Sequence, residues 1–364
     1  MTKGKIAMAL SGGVDSGVAG ALLLEEGWSV IGVTLQMHDP AVLGGIVQDK
    51  LDAAKAIALK LGIQHFILNC VSDFERLVLR PAWNEYASGR TPCPCMWCNE
   101  RVKFDIMLNW ALENGCQALA TGHYVKLRRD GDQVVMLRGD DRNKDQTYFL
   151  SGATQKQLSR LVFPLGDKDK PWVRKKAAEL GLPCAQRAES QDSCFIFPGL
   201  SLSESLKSRF GDAETQKCGF IVDWNGNKLA RHGGIHNFTI GQRRGVKVGT
   251  GARAWVRDLD VSTGDVYLTN DEDDLLRDEI TVSGLIWTSL EPPAAPLECE
   301  VQIRYRGAPV QATLVEISDD RGRLVLHKPT RAVAPGQAAA FYDGDRVLGR
   351  GWINSVFRHQ LFQS

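Results

Sequence analysis

The chain has 364 residues, with 44 Lys and Arg against 43 Asp and Glu, and 43% of it is hydrophobic. That length suits two or three domains better than one core. A net charge of +1 excludes a protein that coats nucleic acid non-specifically, though a local basic surface stays open.

Lys5 to Leu10 reads as a buried first strand and Gly17 to Glu26 as the helix that follows. Between them, Ser11-Gly12-Gly13-Val14-Asp15-Ser16 offers backbone N–H groups and a helix start to an anion. The loop lacks the Lys-Ser/Thr ending of a Walker A sequence and the spacing of a dinucleotide fingerprint. Ser29 to Gln36 is a second strand, Lys50 to Leu61 a helix, and His65 to Cys70 a third strand. Asn99 to Asn114 is predicted helical, Gln117 to Thr121 a fourth strand, and Pro171 to Leu182 another helix. Such alternation implies a doubly wound parallel sheet, with ligands at the carboxyl ends of its strands, where Leu35 and Gly122 also fall.

The pattern changes near Pro198-Gly199 to short strands, glycine turns and Trp residues. From Thr281 onward, evenly spaced short strands suggest a compact β-barrel. The expected division is an α/β catalytic domain over 1–198, a small β-rich domain over 199–276, and a C-terminal β-barrel over 277–364. No apolar stretch is long enough to span a bilayer. The start, MTKGKIAMALSGG, lacks a cleavage-type apolar region, so a cytoplasmic location is expected.

Nine cysteines in such a chain suggest metal or thiol chemistry before structural disulfides. Cys93, Cys95 and Cys98 crowd into Thr91-Pro92-Cys93-Pro94-Cys95-Met96-Trp97-Cys98-Asn99, a loop that two prolines stiffen. Cys98 is predicted to sit directly before a helix, where the positive dipole end favours a thiolate. Cys95 and Cys98 also have the spacing of half a structural zinc site, but no second C-x-x-C follows. Cys194, in Glu189-Ser190-Gln191-Asp192-Ser193-Cys194-Phe195-Ile196, lies near the expected domain boundary, which suits a cleft.

The glycine loop resembles the SGGxDS loop of ATP pyrophosphatases, which split ATP between its α- and β-phosphates. Over nearly its full length the chain resembles the tRNA-specific 2-thiouridylases, which replace the C2 oxygen of the wobble uridine with sulfur. The resemblance rests on an ordered set: SGGVDS, the cysteine loop ending at Cys98, ATGHY at 120–124, KDQTYFL at 144–150, and SQDSCFI. FTIGQRRG at 238–245, QIRYR at 302–306 and VAPGQAAAFY at 333–342 complete it.

The resemblance implies that Ala9, Leu10, Ser11, Gly12, Gly13, Val14, Asp15 and Ser16 bind ATP, with Leu35 and Gly122. A carboxylate within a phosphate loop implies Mg²⁺ to offset repulsion. It further implies Cys98 as nucleophile and Cys194 as persulfide carrier. Cys93, Pro94, Cys95, Lys144, Asp145, Gln146, Arg304 and Tyr305 are implied tRNA contacts, with His123 and Gln337 supporting activity. Arg128-Arg129, Arg174-Lys175-Lys176, Arg243-Arg244 and Arg306 are further basic positions for the tRNA backbone.

One departure affects the sulfur step: many family members carry Asp, a candidate general base, where this chain has Cys95. Two sulfur routes stay open. Either a Cys194 persulfide is resolved by Cys98, or Cys95, Cys98 and Cys194 ligate a [4Fe–4S] cluster with one iron open to hydrosulfide. The implied partners are the anticodon stem-loop of tRNA and a sulfur donor, either a persulfide relay protein or free sulfide. The alternative function is a pyrophosphatase that adenylates a small acid or amide for amination.

Overall fold

The computed structural model describes residues 3–39, 45–187, 199–212, 216–246, 248–249, 251–318 and 320–358. Cys194 lies outside these residues. No helix among them is long and apolar enough to cross a membrane.

Strands β1 (Lys5–Ala9), β2 (Ser29–Gln36), β3 (Gln64–Asn69) and β4 (Ala118–Ala120) are parallel. After a hairpin of β5 (Val125–Asp130) and β6 (Gln133–Arg138), β7 (Leu161–Val162) completes the sheet in the order β3-β2-β1-β4-β7. Ile6, Ala7 and Met8 of the central strand are wholly buried, as a strand covered on both faces requires. The strand order reverses between β1 and β4, and the crevice outside their carboxyl ends is where ligands bind in such sheets. The loop after β1 and Gly122 after β4 meet at that point.

Two long helical runs lie beside the sheet. Residues 71–87 and 94–113 are continuous helices whose middle parts, Glu75–Leu79 and Cys98–Met107, are wound as π-helix. The second run begins at Pro94, with Cys93 as its N-cap. The expected start at Asn99 is therefore corrected: Pro94 takes the first helical position, where its missing N–H costs nothing.

The middle unit is a four-stranded sheet of β8 (Gly219–Val222), β9 (Lys228–His232), β10 (Trp255–Leu259) and β11 (Val266–Thr269), ordered β10-β11-β8-β9. Its small core includes Ile221, Ile235, Val256, Val266 and Leu268.

The last unit has six strands: β12 (Leu276–Trp287), β13 (Leu297–Gln302), β14 (Val310–Ser318), β15 (Arg321–Arg331), β16 (Ala338–Asp343) and β17 (Arg346–Phe357). Because β12 pairs with both β15 and β17, the sheet closes into a barrel. Ile280, Leu314, Leu324, Phe341 and Ile353 fill it. The expected α/β sheet, β-containing middle unit and C-terminal barrel are all present.

The β5–β6 hairpin, which the sequence reading did not anticipate, joins the barrel to the first unit. Leu137 of β6 pairs with Arg346 of β17, so the hairpin extends the barrel's sheet. Gln155 reinforces this seam by donating to the carbonyls of Val134 and Thr288. One buried cluster holds Phe104, Leu119 and Leu150 together with Ala338, Ala340, Tyr342 and Val347. Barrel and sheet thus share a core.

The turn before β16 is also part of this seam. Gly336 has φ +90°, and a Cβ there would lie 2.9 Å from the backbone N and O of Thr91. Gly336→Ala is expected to destabilise the protein by about 1–3 kcal/mol, read as a lower urea midpoint. An unchanged midpoint would show that the turn relaxes.

Candidate active site

The phosphate loop is built from the strand ends outward. Leu10 N–H donates to the Val33 carbonyl at 2.8 Å, and Thr34 Oγ1 donates to the Leu10 carbonyl at 2.8 Å. Gly12 takes φ +80° and packs against the 45–61 helix, where a Cβ would meet Ala53 Cβ at 2.9 Å. Ser16 Oγ donates to Gly13 O at 2.9 Å and lies 3.2 Å from Ser11 Oγ. Gly13 is the N-cap of helix Val14–Glu25 and supplies no side-chain cap, which leaves the helix start to an anion. Gly122 closes the other side, since a Cβ there would fall 2.9 Å from Ser16 N. Ala9, Leu10, Val14 and Leu35 are wholly or largely buried, so they shape the loop while Ser11 faces solvent.

Asp15 is held by a cation of the protein itself. Lys170 Nζ lies 2.6 and 2.7 Å from its two carboxylate oxygens, and Tyr124 OH donates to Oδ1 at 2.7 Å. Lys170 is only 6% exposed, so this pair is weakly screened. Lys170 thus offsets the charge of Asp15 from within the protein.

The cysteine loop takes its shape from the barrel. Gln337 Nε2 donates to the carbonyls of Thr91 at 2.9 Å and Pro92 at 3.1 Å, while Thr91 N–H donates to Pro335 O at 2.8 Å. Arg90, paired with Glu85 at 2.7 Å, donates to Ile353 O at 3.1 Å. Tyr148 OH adds a bond to Ala338 O at 3.1 Å. Gln337, expected to support activity, is thus the clamp of this loop.

Cys98 is buried inside the 94–113 helix, at the first residue of its π segment. The expectation that it directly precedes a helix is corrected, and with it the dipole argument, because the helix starts one turn earlier. Cys95 is half-buried and occupies that first turn. Both thiols share an apolar cluster with Trp97, Trp83, Leu206 and Leu35 at the end of β2. Asn99 Nδ2 donates to Phe149 O at 3.1 Å, while its buried Oδ1 has no partner among the described residues. Cys93 and Pro94 are buried, and burial, then the neighbouring Cys95, pushes the Cys93 thiol up. The Cys93 side chain therefore packs inward. Among the described residues no group of three His, Cys, Asp or Glu is placed to hold a metal ion.

Asp145 and Gln146 are likewise committed to the fold. Asp145 pairs with Arg138 at 2.9 Å and accepts from Gly139 N–H and from Thr147 N–H and Oγ1. Gln146 Oε1 accepts from Tyr124 N–H at 3.0 Å. Both residues adjoin Lys144, which is half-exposed, in the segment expected at tRNA. Arg304 is exposed, and Tyr305 stacks on Phe149 with ring centroids 4.3 Å apart. Arg128, Arg129, Arg243, Arg244 and Arg306 are exposed, but Lys176 pairs with Glu25 at 2.8 Å. His123 Nδ1 is 2.7 Å from Thr121 Oγ1, and its ring meets the edges of Phe104 and Phe163. Burial first, then Lys103, holds its imidazole well below the usual histidine range. It is neutral at physiological pH.

The sequence reading missed Lys170, Tyr124, Glu100 and Arg350. Glu100 and Arg350 form a buried bidentate pair joining the cysteine helix to β17.

A parallel sheet with a small-residue loop at its switch point and an uncapped helix start defines a PP-loop enzyme, built to hold an adenine nucleotide by its phosphates. Residues 4–198 match the family model described as a tRNA methyl transferase HUP domain. Residues 208–270 match a tRNA methyl transferase PRC-barrel domain, and 277–353 an aminomethyltransferase beta-barrel domain. The chain belongs to the tRNA-specific 2-thiouridylase family. It is 41% identical over 372 residues to the tRNA-specific 2-thiouridylase MnmA of Solibacter usitatus, covering 97% of this chain and 100% of that protein. Its identity to the MnmA of Geobacter metallireducens is 39% over 362 residues, 97% of each chain. Among solved structures, the U34-tRNA thiolase NcsA from Methanococcus maripaludis aligns at 22% identity and a TM-score of 0.34, over 57% of this chain and 64% of that one.

Two outcomes are expected. Lys170→Met leaves Asp15 without its cation, and ATP-dependent AMP release should fall by at least about 10-fold, with partial recovery in Lys170→Arg. The depressed His123 favours proton binding by the unfolded chain below the ordinary pKa of about 6.5. Its contribution to stability is complete above that pH and declines as pH falls, by up to about 1.4 kcal/mol per unit. Denaturant titrations from pH 7 to 5 should show a shallower slope for His123→Phe.

Proposed function

We propose that this chain makes 2-thiouridine at the wobble position of tRNA by activating the base with ATP and then delivering sulfur to it. The observation that carries the reading is that Leu35, at the strand end beside the phosphate loop, packs in one cluster with Cys95 and Cys98. In this reading nucleotide activation and thiol chemistry lie on two sides of one apolar cluster. In the proposed division of labour, residues 1–198 perform the chemistry, 199–276 bridge, and 277–364 shape the cysteine loop and meet tRNA.

A uracil C2 carbonyl has no leaving group until its oxygen is derivatised. O2 attacks the α-phosphate, the bond to the β-phosphate oxygen breaks, and pyrophosphate departs. The loop's N–H groups and the start of helix Val14–Glu25 bind the phosphates. Sulfur then attacks C2, and the original O2 leaves within AMP. The base must turn out of its stack to reach the crevice. Lys144, Arg304 and Tyr305 are the side chains we assign to tRNA from the expected set, with a cytoplasmic setting to match.

For Mg²⁺, the engagement of Asp15 by Lys170 does not fit a vacant metal ligand, so no step is assigned to it. Two sulfur routes differ in their use of Cys95. In the persulfide route, the terminal sulfur of Cys194 attacks C2, and the Cys98 thiolate attacks Cys194 Sγ. That breaks the S–S bond, frees the thiocarbonyl and leaves a Cys98–Cys194 disulfide, which an external thiol must reduce. In the other, Cys95, Cys98 and Cys194 would hold a [4Fe–4S] cluster, whose open iron supplies a site for hydrosulfide.

The test incubates anaerobically purified protein with unmodified tRNA, ATP and Mg²⁺, supplying sulfide or a persulfide donor. Thiolated tRNA and AMP are expected together, with thiolation lost in Cys98→Ser. Cys95→Ala should abolish sulfide-driven thiolation if Cys95 is a ligand, and spare persulfide-driven thiolation if Cys98 and Cys194 suffice. No thiolation with either donor would overturn the reading, and AMP formed on a small acid instead would favour an aminating pyrophosphatase.

A further inference from the structure

We propose that Arg350 and Glu100 are positioning residues for sulfur transfer, through which the barrel sets the orientation of the Cys98 thiol. This rests on the reading of Cys98 as the reacting thiol. Arg350 Nε and Nη2 donate to Glu100 Oε1 and Oε2 at 2.9 and 2.7 Å, and the two side chains are 3% and 9% exposed. Two parallel N–H···O bonds fix both translation and rotation of one partner on the other. The remaining arm of Arg350, Nη1, donates to Gly284 O of β12 at 2.6 Å. Its guanidinium carbon lies 4.4 Å from the Trp352 ring, which packs 5.3 Å from Trp97. The barrel therefore grips the helix at Trp97 and Glu100, on either side of Cys98.

The helix needs that grip. Cys98–Met107 is wound as π-helix, a form rare beyond a single turn. Its own hydrogen bonds specify the register at Cys98 less firmly than an α-helix would. A buried ion pair adds little net stability over an apolar pair of equal volume, so geometry is its main contribution. Gly152 makes room for it, since any Cβ there would overlap the Glu100 carboxylate. Among the described residues the side chain of Arg350 bonds to Glu100 and Gly284 and to no residue of the phosphate loop, so activation of the base and sulfur transfer should respond differently to loss of the pair.

The experiment compares the parent with Arg350→Met, Arg350→Lys and the double variant Glu100→Met/Arg350→Met. The double variant removes both charges and keeps the volume, so it folds without a stranded carboxylate. Four quantities are read: thermal midpoint, tRNA-dependent ATP–pyrophosphate exchange with its KM for ATP, single-turnover thiolation, and the rate of Cys98 alkylation by iodoacetamide. The double variant should keep the midpoint and exchange close to parental values. Its thiolation should fall roughly 10- to 100-fold, the scale of a misplaced reacting group, with a changed Cys98 alkylation rate. Arg350→Lys should recover part of the loss. Thiolation at the parental rate in the double variant would overturn the proposal, as would a fall in exchange and thiolation in step with the midpoint. A parent that neither exchanges pyrophosphate nor thiolates tRNA would instead overturn the thiolation reading itself.

Discussion

Gln337 donating to the carbonyls of Thr91 and Pro92 is the contact from which the rest of the architecture follows. A segment with prolines at 92 and 94 has few backbone donors of its own and cannot be held by a sheet ladder. Its carbonyls must be met from outside, and the barrel meets them with one amide. That amide sits on a tight turn, Ala334 to Gln337, which only a glycine at 336 allows to approach so closely. The barrel is consequently part of the site: its strands β16 and β17 form the mould against which the cysteine loop is cast.

The same logic of external support governs the phosphate loop. An acidic residue among groups meant for phosphate is an electrostatic liability, and the fold answers with Lys170, drawn from the start of a helix beyond β7. The pair lies in a region of low screening, where a charge can neither be left unpaired nor be far from its partner. Tyr124 supplies a further bond from the segment that also carries Gly122 and His123. Three separate stretches of chain thereby converge on one carboxylate, and the loop is preorganised before any nucleotide arrives.

Much of this was legible in the sequence because it is local. The strand–loop–helix around Gly12 and Gly13 declares itself by composition and spacing, and the barrel by its even run of short strands. The rest was illegible because its partners are distant. Asp15 and Lys170 are joined only once β4 lies beside β1 and β7 beside β4, and Glu100 meets Arg350 only after the barrel closes. Asp145 and Gln146 were expected at tRNA, and their bonds to Arg138, Thr147 and Tyr124, which tie one hairpin and one loop together, carry no sequence signal. The helix start at Pro94 was misjudged for another reason. Proline ends helices from within and opens them from the first position, and the apolar periodicity beyond Asn99 drew attention away from the second possibility.

The β5–β6 hairpin has a consequence for how the molecule is made. β6 gains a neighbour on its outer side only when β17 is synthesised, about 200 residues later. At ordinary translation speeds that interval is roughly ten to forty seconds. During it the nascent catalytic unit exposes an unpaired strand edge, of the kind that recruits foreign strands. Aromatic side chains such as Tyr148 and Phe149, which will later meet Ala338 and Tyr305 of the barrel, are uncovered over the same period. The unit made before the barrel is thus finished after it, because its completion waits on β17.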